Sequence, residues 1–227
     1  NFIINSPPKF VQILGAITTA IKLKLYLILW YNINWGESTM KKELRKKFII
    51  ERNKLSEAYR DYASTKIFSI IENNELFKLA GKVFIYVGFG SEIATLPFIK
   101  KWINKKQIFV PKIDNNTMNL VHITSLKELT EGHFGVLEPT SCEYFNGNID
   151  LVITPSIVFD KNGYRLGYGK GYYDKYFAKN KYKTSIGLSY DKLLQEKVPV
   201  NQYDKNVDII ITEEKTLIIN EKNNCNN

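Results

Sequence analysis

Between residues 80 and 212 the chain carries short apolar runs, each closed off by glycine, proline or charge: "KVFIYV" (82–87), "QIFV" (107–110), "MNLVHI" (118–123), "DLVIT" (150–154), "TSIGLS" (184–189) and "VDIIIT" (207–212). Most are near-continuous rather than alternating, the pattern of strands buried on both faces. Helical patterns separate them. In "KKELRKKFIIERNKL" (41–55), Leu44, Phe48 and Leu55 fall near one face, and Lys41, Arg45 and Arg52 cluster on another. Ser56 reads as the N-cap of a second helix running toward Ile71. Thr95, with Pro97 in the first turn, starts a helix through Trp102 and Ile103. Ser125 and Glu128 form a capping box for a short helix closed near Gly132, and another helix starts at about Tyr172. Buried strands alternating with helices predict an α/β fold: three layers, a mostly parallel sheet with helices on both faces, in one domain.

The ends read differently. "FVQILGAITTAI" (10–21) and "LYLILWY" (25–31) together approach membrane-spanning length, but Lys22 and Lys24 between them are expensive in a bilayer. "NINWGES" (32–38) is a poor signal-peptide cleavage site. Met40 stands directly before the first strongly helical segment. The expectation is that Met40 is the natural start and residues 1–39 are a non-native or disordered extension, a membrane anchor being the less favoured alternative. Residues 40–220 are then the domain, and 221–227 a disordered tail.

Composition narrows the class. With 44% hydrophobic residues in 227, the chain can bury one sizeable core. Two cysteines, Cys142 and Cys225, make no disulfide framework, so a reduced, cytoplasmic setting is expected. The formal charge of +9 favours anionic partners. No run of five basic residues occurs, which places a small anion above nucleic acid. A monomer acting on small molecules, with no nucleic-acid or membrane partner, is the expectation.

The chemistry concentrates in "FDKNGYRLGYGKGYYDKYF" (159–177). Gly167, Gly169 and Gly171 alternate where the backbone must bend or approach a ligand. Neither named phosphate motif fits: Gly171 follows Lys170 where a P-loop needs Ser or Thr, and the spacing is G-x-G-x-G. The ingredients nevertheless suit a phosphate and its metal. Glycine N–H groups can face an anion at a helix start, Lys170 is a point charge, and Arg165 is a bidentate donor. Asp174 is a candidate Mg²⁺ ligand. A glycine-rich hairpin with surface charges is the plain alternative.

The longer run "TPSIVFDKNGYRLGYGKGYYDKYF" resembles the signature of the 5-formyltetrahydrofolate cyclo-ligase family. "KKELR", "IYVGFGSEIAT", "VPKIDNNTMNLVHI", "GVLEP", "IGLSYD", "VPVNQYD" and "VDIIIT" follow in the family's order, so the resemblance spans nearly all of residues 41–212. Two positions depart from the pattern: Tyr168, where arginine is frequent, and Tyr203 before Asp204, where His or Asn is common. The resemblance implies conversion of 5-formyltetrahydrofolate and ATP into 5,10-methenyltetrahydrofolate, ADP and phosphate. It implies ATP binding by Lys41, Arg45 and the run Arg165, Leu166, Gly167, Tyr168, Gly169, Lys170, Gly171, Tyr172 and Tyr173, with Lys170 and Arg165 as the catalytic pair. Val87, Glu92, Tyr168, Gly169, Lys170, Gly171 and Tyr172 would contact the folate, and Asp174 and Asp204 would hold Mg²⁺.

Each assignment has a bland competitor. Lys41 and Arg45 also read as a solvated basic face, Glu92 as an acid at a helix N-terminus, Val87 as core, and Asp174 as a surface or capping residue. His122 and His133 read as structural or exposed. A sugar-phosphate isomerase or acyl-CoA-handling α/β protein would need no ATP hydrolysis, and a basic nucleic-acid-binding module would show no turnover.

Overall fold

The computed structural model describes residues 39–132 and 135–220. The chain divides into two units, with the boundary between Glu43 and Leu44, and the second holds the sheet and its helices. The expectations for residues 1–38, His133 and the tail with Cys225 lie outside the described residues. Among those described, no helix is long and apolar enough to cross a membrane.

The first helix, α1, runs through residues 39–53. It is followed by α2 (Glu57–Asn73) and α3 (Glu75–Leu79). Ser56 caps α2 as its spacing predicts, its Oγ accepting the Tyr59 N–H. The chain continues through β1 (Lys82–Ile85), α4 (Leu96–Trp102), β2 (Gln107–Asp114), β3 (Thr117–Ile123), β4 (Leu129–Glu131), β5 (Leu137–Pro139), β6 (Tyr144–Phe145) and β7 (Ile149–Thr154). Then come β8 (Val158–Phe159), β9 (Arg165–Leu166), α5 (Tyr172–Lys179), β10 (Tyr182–Leu188), β11 (Ile209–Ile211) and β12 (Thr216–Ile218).

Eight strands form the central sheet in the order β12-β11-β10-β7-β1-β2-β3-β6. The five inner strands, β11 to β2, pair in parallel, and the flanking pairs are antiparallel. Period-two alternation sorts the side chains onto two faces. Val83, Ile85, Leu151, Ile153 and Ile186 pack with Ile67, Ile71, Phe77 and Phe98 from α2, α3 and α4. Phe84, Phe109, Val152 and Ile210 pack with Tyr176 and Phe177 of α5. Helices therefore cover both faces, which accounts for the continuous apolar runs and bears out the three-layer expectation.

One predicted helix is cut short. Ser125 caps only a 3₁₀ turn, Leu126–Glu128, before β4 pairs with β5. Glu128 reaches back to the Thr124 N–H and hydroxyl, so the cap forms, but ladder pairing claims the residues after it. The basic face of α1 is also not all solvated: Arg52 is only 4% exposed.

From β1 the chain adds β2 on one side, then returns to β7 on the other. The carboxyl ends of β1 and β7 therefore flank the point where strand order reverses, the place where open α/β sheets gather ligands.

Candidate functional site around the glycine loop

After β7, Pro155 and Ser156 lead into the β8–β9 hairpin. Asp160, fully buried, ties its turn: the Asn162, Tyr164 and Val198 N–H groups all donate to its carboxylate. Asp160 is thus a turn organiser. The hairpin delivers the glycine loop to the start of α5. Gly169 and Gly171 take left-handed φ values of 98° and 65°, which side-chain-bearing residues rarely adopt. A Cβ at Gly169 would also sit 3.3 Å from the Arg45 guanidinium carbon, closer than ordinary contact. Arg45 Nε donates to the Gly167 carbonyl at 2.8 Å, binding α1 to the loop. Lys170 is exposed. No side chain caps the N-terminus of α5, so its first-turn N–H groups are available to an anion. These features form an adaptable cradle of backbone donors with two cations beside it.

Arg165 does not share that openness. Its side chain is only 5% exposed. One Nη donates to Asp174 Oδ1 at 2.7 Å and the other to the Lys205 carbonyl at 2.7 Å. The guanidinium lies over the rings of Tyr173 and Phe177. Burial lowers its pKa, and the nearby Asp174 charge opposes that shift. The reason for the difference is geometric: Arg165 lies on β9, whose side chain points inward under the loop, rather than among the glycines. Asp174 Oδ1 also accepts the Lys205 N–H. Its Oδ2 lies toward Gly171. Asp204 Oδ2 accepts the Asn201 N–H, and its charge is felt by Arg165. Asp174 holds this arginine directly, and the charge of Asp204 acts on it as well. Among the described residues, no group of three or more acidic, His or Cys side chains gathers for a metal.

Across the loop lies a second constellation. Glu92, 8% exposed, sits in the turn after β1. Its Oε2 accepts the Phe89 N–H at 3.3 Å, and its Oε1 accepts the Tyr168 hydroxyl at 2.8 Å. Arg52 Nη2 donates to the same hydroxyl at 2.7 Å, while Nε donates to Ser91 Oγ and Nη1 to the Ser156 carbonyl. Arg52 and Glu92 approach to 3.9 Å. Burial raises the pKa of Glu92, and the Tyr168 hydroxyl, Arg52 and the Phe89 N–H offset only part of that rise. A cavity of about 10 Å³, room for one water, adjoins Arg52, Glu92, Tyr86, Ser156 and Tyr190.

The remaining predicted residues divide. Leu166 is buried in the core, as is Val87, which does not line the cavity. Tyr172 is half-buried, with Lys175 over its ring. Tyr173 stacks on Phe84, and its hydroxyl is buried with no hydrogen-bond partner among the described residues. Lys41 lies one helical turn before Arg45, in the N-terminal unit. Tyr203 is exposed, His122 packs its ring near Phe109 at an exposed position, and Cys142 is exposed. Arg52 is a site residue to which the sequence assigned no role beyond its place on the basic face of α1. The signal was present, because seven residues on from Arg45 is two helical turns and returns to the same face.

Comparison with known proteins agrees with this architecture. The model of the 5-formyltetrahydrofolate cyclo-ligase family matches residues 37–213. A probable 5-formyltetrahydrofolate cyclo-ligase of Caenorhabditis elegans is 26% identical over 196 residues, covering 79% of this chain and 95% of that one. The Escherichia coli 5-formyltetrahydrofolate cyclo-ligase is 30% identical over 146 residues, 60% of this chain and 80% of its own. The solved structure of Aquifex aeolicus 5,10-methenyltetrahydrofolate synthetase superposes with a TM-score of 0.74 at 32% identity, covering 83% of this chain and 97% of that one. With residues 37–213, most of its length, matched by the family model, this chain belongs to the 5-formyltetrahydrofolate cyclo-ligase family.

Proposed function

We propose that this chain converts 5-formyltetrahydrofolate to 5,10-methenyltetrahydrofolate at the expense of ATP, with the glycine loop as nucleotide cradle and Glu92 on the folate. As a member of its family it is an ATP-dependent ligase that closes a carbon–nitrogen bond. One observation carries the placement. The Tyr168 hydroxyl reaches Glu92 at 2.8 Å across 76 residues of sequence, so the phosphate cradle and a buried carboxylate adjoin at the switch point.

The chemistry needs both halves. An N5-formyl group is an amide, and closing its carbon onto N10 requires loss of its oxygen. Attack of the formyl oxygen on the γ-phosphorus expels ADP and turns that oxygen into a phosphate ester. N10 then adds to the carbon, loses its proton, and inorganic phosphate departs with the oxygen. The protein's share is positioning and charge stabilisation on the moving phosphoryl group. Lys170 and Arg45 would meet the phosphates. Arg165 acts through Asp174 and the loop ends, and Glu92 would accept N–H groups of the folate.

Mg²⁺ fits this site in a limited way. Such an ion takes one or two protein carboxylates and completes its shell with phosphate oxygens and water. Asp174 Oδ2, on the Gly171 side, would supply the first, with Asp204 near it; the ion would neutralise phosphate charge. The reading includes a monomer acting in the cytoplasm on small molecules alone, consistent with a free Cys142 and dispersed basic charge.

The deciding experiment mixes purified protein with 5-formyltetrahydrofolate and Mg-ATP and follows the methenyl chromophore alongside ADP release. Equimolar formation of both is expected. Protein that forms no chromophore, or forms it without ATP, would overturn the proposal.

A further inference from the structure

Arg52 is a buried cation on a helix otherwise rich in exposed lysines, and its three donor nitrogens are all directed. Nε holds Ser91, the residue before Glu92; Nη1 holds the Ser156 carbonyl, at the exit of β7; Nη2 holds the Tyr168 hydroxyl. Ser91 is held in turn by Asn53, and its carbonyl accepts the Tyr190 hydroxyl. Tyr168 is 45% exposed overall, yet its hydroxyl end is tucked between Arg52 and Glu92. A buried charge without partners is costly, so this arrangement persists because every group in it is satisfied. The guanidinium stands off from the carboxylate and reaches it through a hydroxyl. A direct salt bridge would bind both Glu92 oxygens tightly; here one oxygen is aimed by Tyr168 and the other by a single long backbone contact.

We propose that Arg52 and Tyr168 are positioning residues for the ligase reaction, together orienting the Glu92 carboxylate for the N–H groups of the folate. The inference rests on the reading that Glu92 meets the folate. Neither residue touches the reacting atoms in this role. Tyr168 donates to Glu92, and Arg52 fixes Tyr168 and the Ser91–Glu92 turn.

The arrangement has a pH signature. An ionised Glu92 accepts N–H groups, so folate binding weakens as pH falls through the pKa of Glu92. The charged or titratable groups facing it are Arg52 from α1, Tyr86 at the end of β1, Tyr168 from the loop, Tyr173 from α5 and Tyr190 after β10. Burial pushes Tyr190 up to about 12 and the other phenols upward as well, and arginine stays charged. Among Glu92 and the groups that face it, Glu92 alone titrates on the acidic side. Removing the Tyr168 hydroxyl or the Arg52 charge withdraws support from the ionised form, which moves the acidic limb to higher pH.

The test compares Tyr168→Phe, Arg52→Met and Glu92→Gln across pH 5 to 9, with melting temperature measured in parallel. In Tyr168→Phe the KM for 5-formyltetrahydrofolate should rise about tenfold, the loss of one hydrogen bond to a charged group. Its KM for ATP should stay within twofold, and the acidic limb of kcat/KM should move up by about one pH unit. Arg52→Met should move the limb in the same direction. Should that variant fail to fold, Tyr168→Phe alone decides. A lower melting temperature with an unmoved limb and unchanged folate KM would make the pair merely structural and overturn the inference. The carboxyl carbon resonance of Glu92, identified by its loss in Glu92→Gln, separates the two layers. If Glu92→Gln keeps wild-type folate KM, the folate reading fails, and the inference falls with it even when the resonance shifts. If Glu92→Gln loses folate binding but the resonance titrates unchanged in Tyr168→Phe, only the positioning role is overturned.

Discussion

Arg165 and Asp174 meet at 2.7 Å, whereas Arg52 and Glu92 stand 3.9 Å apart with the Tyr168 hydroxyl between them. Both couples lie against the same glycine loop, and three of the four side chains are nearly buried, Asp174 being the more open. The close pair also binds the backbone of Lys205 from both partners, so it fastens the loop to the turn before β11. The looser pair leaves its carboxylate raised in pKa and beside a void with room for one water. Tight pairing uses up the valences of a charge; indirect pairing keeps them for a ligand. On the proposal above, the tight couple fastens the loop and the looser one serves recognition.

The largest expected effect falls on the tight couple. Arg165→Met leaves Asp174 without its cation and strips the guanidinium from Tyr173 and Phe177, so stability should drop by about 3–5 kcal/mol in urea unfolding. A loss under about 1 kcal/mol would show that the pair fastens nothing. Next comes the cradle: Lys170→Ala should cut kcat/KM for ATP about ten- to hundredfold with an unchanged melting temperature, because an exposed cation meets only the phosphates. Wild-type rates in that variant would remove the loop from the nucleotide site.

Asp174→Asn sharpens the comparison further. If Asp174 serves both fastener and metal, the variant should lose stability and require several-fold more Mg²⁺ for half-maximal turnover. Destabilisation with an unchanged magnesium curve would leave it a fastener only. Asp204→Asn should give a weaker version of the magnesium effect.

The smallest effect concerns Glu92. Its folded pKa is raised, so the folded state holds the proton more tightly than the unfolded chain does. That contribution is fully present below the ordinary Glu range and is lost as pH rises through the folded value. Melting temperature should therefore decline slightly from about pH 4.5 toward neutrality, and Glu92→Gln should flatten this decline. An identical decline in the variant would assign it to another group.

Much of this was legible in the residues. Runs such as Val83–Ile85 and Leu151–Ile153 could bury on both faces only as inner parallel strands, and Ser56 and Pro97 marked helix starts through local hydrogen bonding and fixed φ. Gly169 and Gly171 announced a backbone that side chains would obstruct. Short-range physics sets each of these, and short-range physics is written in neighbouring residues. β8 and β9 escaped because two-residue strands carry no period, and the helix expected before Gly132 yielded to pairing with β5.

The site divides along the same line. The type of chemistry, a glycine cradle with a lysine at a helix start, was determined by nineteen consecutive residues, Phe159 to Phe177. Which charges face a ligand was decided only by tertiary structure. Arg165 and Lys170 lie five positions apart, yet one is inside and the other in water. Arg52 and Lys47 differ in the same way, because α1 buries one face beneath the loop. Burial is a property of what packs over a residue, and here the covering Tyr168 arrives from 116 positions away.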